Sequence, residues 1–164
     1  MRVADIRDII SALNTSGVRF LVVGGLAVNA HGYVRATVDL DLVIGLETAN
    51  IIAGLNALQG IGYQPKIPIT AEQFANAELR EKFRAEKGML VLQLWCDARR
   101  QTPIDIFVHE PFDFDTEWQT AVRFDFDDGL KIPVVNLPTL LAMKEAAGRD
   151  KDRVDIAYLR KLHP

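Results

Sequence analysis

Between Leu21 and Ile44 the chain reads LVVGGLAVNAHGYVRATVDLDLVI, and this stretch constrains the architecture more than any other. Phe20 to Val23 is an apolar run too short for a helix, so it reads as a buried strand. Gly24-Gly25 stops that strand. The residues after it, to about Gly32, fit a short helix. Asp39 to Ile44 then alternates carboxylate with aliphatic, the period of a strand with one polar face.

The flanking sequence extends this pattern. Ile6, Ile9, Ile10 and Leu13 recur at helical spacing within residues 4–14, which predicts an amphipathic opening helix. Thr48 to Leu58 is expected to be helical, and residues 71–87 form a second helix with only Phe74, Leu79 and Phe83 as large apolar positions. So weak an apolar face suggests a peripheral or mobile element. Met89–Trp95 and Ile104–Val108 read as strands. Val122–Phe126 and Leu130–Val135 flank Asp127-Asp128-Gly129, a hairpin signal because Asp-Gly accepts the positive φ of a tight turn. From Pro138 the pattern turns helical, with a break at Gly148. This order argues for an α/β or α+β class: a mixed twisted sheet flanked by helices, with a short C-terminal helical pair. At 164 residues, a single domain is expected, with residues 1–136 as the body and 137–164 as the helical end.

Composition narrows the partners. Hydrophobic residues make up 49% of the chain and charged residues 25%, which argues against a disordered chain. The formal net charge of -3 argues against bulk coating of nucleic acid, which needs a basic excess. The charge is unevenly spread, because residues 137–164 carry six Lys/Arg against four Asp/Glu. One cysteine, Cys96, excludes an internal disulfide framework and a multi-cysteine zinc site. No apolar run approaches bilayer length and the start lacks a secretory pattern, so the expected location is the cytoplasm.

The candidate chemistry lies in the opening stretch. Residues i and i+2 of a strand share a face, so Asp39 and Asp41 can converge on one hard cation. The glycine pair lets a phosphate approach the backbone, and the helix that follows offers N–H donors. Two further Asp-x-Asp pairs, Asp113/Asp115 and Asp125/Asp127, follow no glycine turn and read as structural. A third acid, Asp105, stands alone in the apolar strand TPIDIFV, 64 residues after Asp41. An acid there is costly to bury without a metal or hydroxyl partner. His31 reads as a hydrogen-bonded structural residue, Arg35 as a brace for the aspartates, Cys96 as packing, and Trp118 and Tyr158 as core or groove aromatics. A dinucleotide fold lacks support, since no GxGxxG follows the first strand.

The segment GGLAVNAHGYVRATVDLDLVI resembles the DNA polymerase beta-type nucleotidyltransferase superfamily. More narrowly, Arg35, Thr37, Asp39 and Asp41 are similar to the RxTxDxD form of AbiEii-like and minimal nucleotidyltransferases, some of them from toxin–antitoxin systems. The segment KEAAGRDKDRVD, Lys144 through Asp155, is similar to their second motif. The resemblance covers residues 20–45 and 137–162 directly. It implies a nucleotidyltransferase fold and transfer of a nucleoside monophosphate from an NTP to a hydroxyl. The acceptor implied is an RNA or tRNA end, a protein or a small molecule. Asp39, Asp41 and Asp105 would hold two Mg²⁺ ions. Gly24, Gly25, Lys144, Arg149 and Lys151 would contact the nucleotide, with Asp152 and Asp155 orienting the basic residues through ion pairs. One departure is Gly25, where many members have Ser, so no hydroxyl comes from that position. The rival reading is a non-catalytic module on the same fold, binding a nucleotide or a partner protein as an antitoxin would.

Overall fold

The computed structural model of the protein describes residues 1–126 and 129–164. Its elements are α1 (Val3–Thr15), β1 (Phe20–Val22), α2 (Gly24–Ala30), β2 (Leu40–Ile44), α3 (Thr48–Gly60), β3 (Gln64–Pro65), α4 (Ala71–Ala75), α5 (Ala77–Lys87), β4 (Val91–Trp95), β5 (Ile104–Phe107), α6 (Phe114–Thr120), β6 (Val122–Phe126), β7 (Leu130–Val134), α7 (Leu137–Ala147) and α8 (Asp150–Leu162). The strands form one seven-stranded sheet in the order β3-β4-β5-β2-β1-β7-β6. β2 and β5 are parallel, as are β1 and β7, and the other neighbours are antiparallel. The protein is therefore a mixed α/β fold with helices flanking a mixed sheet, the coarse class its sequence predicts. Among the described residues no helix is long and apolar enough to cross a membrane.

Side-chain alternation builds the core and sets three polar side chains on the other face of the sheet. Leu40 and Leu42 of β2, Ile104 and Ile106 of β5, and Leu92 and Leu94 of β4 are buried. They join Ile9, Ile10 and Leu13 of α1 and Ile51 and Leu58 of α3 in one apolar cluster. Because the strand period is two, Asp41, Asp105 and Gln93 emerge on the opposite face. β6 and β7 pair antiparallel with Phe126 opposite Leu130, as a hairpin requires. Asp127 and Asp128, at the expected turn, lie outside the described residues.

Two local expectations are corrected and one element is added. Residues 71–87 are two helices, because the Asn76 side chain accepts the Leu79 N–H at 2.9 Å and starts α5 anew. α4 is also firmly seated, with Phe74 fully buried and the Arg80 guanidinium donating to its carbonyl at 2.7 Å. α6 adds an element that the sequence pattern does not reveal. Asp113 caps it by accepting the Thr116 N–H, and Asp115 pairs with Arg19 at 2.7 Å, which gives that Asp-x-Asp pair a structural explanation. Buried Glu117 of α6 in turn accepts the Asn136 N–H at 2.6 Å and the Thr139 hydroxyl at 2.8 Å, fixing the start of α7.

Candidate active site on the carboxylate row of the sheet

Strand register places the acids. Asp41 of β2 lies opposite Asp105 of β5, and Asp105 lies opposite Gln93 of β4. These three side chains therefore form a row across adjacent strands, which are ~4.8 Å apart. Asp39 stands one residue before β2, in the irregular segment that leads into it. Its charge is felt by both Asp41 and Asp105. Burial, followed by repulsion from Asp105 and Asp39, pushes Asp41 up to about 6. The Gly25 N–H donates to that carboxylate, and the positive charge of Arg149 also opposes the rise. Burial raises Asp105 as well, against a hydrogen bond from Gln93.

The glycine pair is explained by what lies against it. Gly24 has φ +61°, and a Cβ there would fall 1.9 Å from Asp41 Oδ2. A Cβ on Gly25 would fall 2.2 Å from Thr37 Oγ1. Both glycines thus make room for side chains from the end of the same motif, and the Gly25 N–H already serves Asp41. Gly24→Ala is expected to destabilise the protein by about 3 kcal/mol or more, combining left-handed strain with a clash against Asp41. Urea denaturation checks this, and an unchanged midpoint would contradict the packing.

Two residues at the end of the row carry no sequence motif. The Gln93 amide donates to Asp105 Oδ1 at 3.0 Å, and Lys66 Nζ donates to Gln93 Oε1 at 2.5 Å. An ammonium can only donate, so Lys66 fixes which end of the amide faces Asp105. Neither is visible from sequence spacing, because β3, β4 and β5 bring them together only through their pairing.

The C-terminal helices close the other side. Lys144 is 5% exposed and lies between Asp152 at 3.0 Å and Asp155 at 2.7 Å. It is committed to that pair and is not presented to the carboxylate row. Arg35 clamps Asp155 through two 2.6 Å hydrogen bonds, so it braces α8 and not Asp39 or Asp41. Asn29 exchanges two 3.0 Å hydrogen bonds with the Arg35 backbone, holding the irregular segment beside α2. Burial works to raise Asp152 and Asp155, but hydrogen bonds from Arg149, Arg35 and Lys144 outweigh it and hold both below the ordinary carboxylate value. Both acids are therefore ion-paired with basic residues, as the sequence suggests. Arg149 bonds Asp152 at 2.6 Å while its side chain stays 60% exposed, and it and Asp41 sense each other's charge. Lys151 is exposed and, among the described residues, is paired with no carboxylate.

The remaining expectations are local. His31 is buried, with Nε2 2.8 Å from the Val135 carbonyl, as a structural histidine should be. Cys96 is buried. Trp118 stacks on Phe114, and Tyr158 stacks on Tyr33 at 4.3 Å.

Among the described residues, no three Asp, Glu, His or Cys side chains are drawn together as a ready metal-binding group. The donor chemistry nevertheless suits a hard divalent cation. The donors are all carboxylate oxygens, and their burial and mutual repulsion are what a bound dication relieves. No protein-family model matches the chain, and no curated protein matches it significantly.

Proposed function

We propose that the protein is a nucleotidyltransferase that transfers a nucleoside monophosphate from an NTP to a hydroxyl acceptor. The observation that carries this reading is the register pairing of Asp41 with Asp105 beside Asp39, under the Gly24-Gly25 turn and within electrostatic reach of Arg149. Mixed-sheet topology and the strand–glycine turn–helix–strand order support assignment to the nucleotidyltransferase fold.

Asp39, Asp41 and Asp105 would hold Mg²⁺, which would supply charge neutralisation for the triphosphate and the acceptor oxygen. Arg149 places positive charge on the nucleotide side of the acids. Asp105 takes up the acceptor hydroxyl proton as the acceptor oxygen bonds to the α-phosphorus. The bond from that phosphorus to the β-phosphate bridging oxygen breaks in line, and pyrophosphate leaves with the electron pair. Gln93, fixed by Lys66, favours the ionised form of Asp105 against its burial and holds it in one rotamer. Catalysis on this account is mostly positioning and electrostatics.

Gln93→Leu is expected to lower turnover at neutral pH about tenfold and to move the acidic limb of the pH–rate profile upward. The sign follows from losing a donor to the carboxylate, which leaves the Asp105 proton harder to remove. A profile that keeps its limb would contradict this role. Crystals grown with Mg²⁺ and a non-hydrolysable NTP should show Asp39, Asp41 and Asp105 turned onto cations at ~2.0–2.2 Å. Their triphosphate should lie on the Arg149 side. A nucleotide bound elsewhere, with the carboxylates diverging, would contradict the reading.

A partner-binding module is the second reading, and one surface favours it. Val154, Tyr158 and Leu162 form an exposed apolar stripe on α8, and Val34, next in sequence to the Tyr33 that stacks on Tyr158, is 80% exposed. Nucleotide transfer separates the two readings.

A further inference from the structure

The hydroxyl of Thr37 is left unspent at a crowded corner. Thr37 is half-buried in the irregular segment before β2, two residues from Asp39. Its Oγ1 occupies the space that a side chain on Gly25 would enter, 2.2 Å from where that Cβ would lie, and its own Cβ lies 2.8 Å from the same point. A side chain at residue 25 would therefore force residue 37 to shift. Among the described residues, none forms a hydrogen bond with the Thr37 hydroxyl.

Most donors of its neighbours are committed, three of the five Arg35 N–H groups among them. The Gly25 N–H is given to Asp41. Arg35 gives Nε and Nη2 to Asp155, and Nη1 to the Ala36 carbonyl at 3.0 Å. A second cation at this corner would pair with Asp39 or Asp41 and compete with a metal for them. A neutral hydroxyl can donate to a phosphoryl oxygen without drawing the carboxylates away.

We propose that Thr37 is a nucleotide-binding residue whose hydroxyl donates to a non-bridging oxygen of the NTP triphosphate, reaching over Gly25 from the second half of the motif. This rests on the nucleotidyl-transfer reading and adds a specific contact to it. The pair 25/37 then works as one position: a hydroxyl can come from either residue, but side chains on both would crowd the same space.

Calorimetric binding of the α,β-methylene analogues of ATP, CTP, GTP and UTP with Mg²⁺ tests it, alongside thermal denaturation of each variant. Thr37→Val, which keeps the shape and loses the hydroxyl, should bind the preferred analogue about tenfold more weakly with an unchanged melting temperature. Thr37→Ser should stay within about threefold of the wild type, since it retains the donor. Gly25→Ser alone should melt at a lower temperature, and Gly25→Ser with Thr37→Gly, which also removes the Cβ 2.8 Å away, should melt above that single variant and bind the analogue. Wild-type affinity in Thr37→Val would overturn the proposal while leaving nucleotidyl transfer standing. Failure of the wild type to bind any of the four analogues would overturn both. Failure of the double variant to recover stability would overturn the shared-space premise, and that result needs no nucleotide.

Discussion

Replacing Asp41 by asparagine is expected to cut nucleotidyl transfer by about 100-fold or more while making the cation-free protein more stable above pH 6. The folded carboxyl is pushed up to about 6 from an ordinary 3.8, so the native state holds this proton more tightly than the unfolded chain does. Stability from this group is therefore greatest at acid pH and declines as pH rises from about 4 to about 6. The decline amounts to about 1–3 kcal/mol. Asparagine carries no charge to repel Asp39 and Asp105, and its oxygen can still accept the Gly25 N–H. Urea denaturation in EDTA at pH 5 and pH 8 checks the sign. A variant less stable than the wild type at pH 8 would contradict it. Added Mg²⁺ should stabilise the wild type and leave the variant unmoved, because the acids would be held in repulsion to receive a cation.

Lys144→Met should act in the opposite sense, destabilising the protein by about 3–5 kcal/mol. It would leave Asp152 and Asp155, both at most 1% exposed, without the ammonium that lies between them. At this chain length that corresponds to a fall in melting temperature of about 10 °C. Adding Asp152→Asn and Asp155→Asn should recover part of the loss, because it removes the two buried carboxylates, while Arg35 and Arg149 are partly solvated and keep an amide oxygen as acceptor. A lysine that contacted substrate from an exposed helix face would give a small thermal effect and a large one on nucleotide affinity. The enclosed geometry therefore makes thermal denaturation the discriminating readout. The network also ties Arg35 and the segment before Asp39 to α8, so the same substitution should loosen the approach to the site.

The opening motif was legible because its geometry is local. A short apolar run, a glycine pair and an alternating carboxylate strand encode their own elements, and Asp105 stood out as one acid in an apolar strand. What escaped the sequence depends on tertiary packing. Gln93 and Lys66 reach Asp105 through strand register alone. Lys144 looks like a solvated helix residue until α8 folds back and places two carboxylates around it. Gly25 appears to lack a hydroxyl, yet Thr37 fills the space above it. Residues 71–87 have the composition of one helix, but the capping side chain of Asn76 divides them.

Label transfer tests the central claim most directly. Wild-type protein and Asp41→Asn would be incubated with each α-³²P-labelled NTP and, separately, each γ-³²P-labelled NTP, with Mg²⁺, total RNA and total protein. The account predicts that α-label from at least one NTP enters an acceptor, that γ-label does not, and that Asp41→Asn abolishes the transfer. Transfer of γ-label alone, or α-label transfer that survives Asp41→Asn, would contradict it.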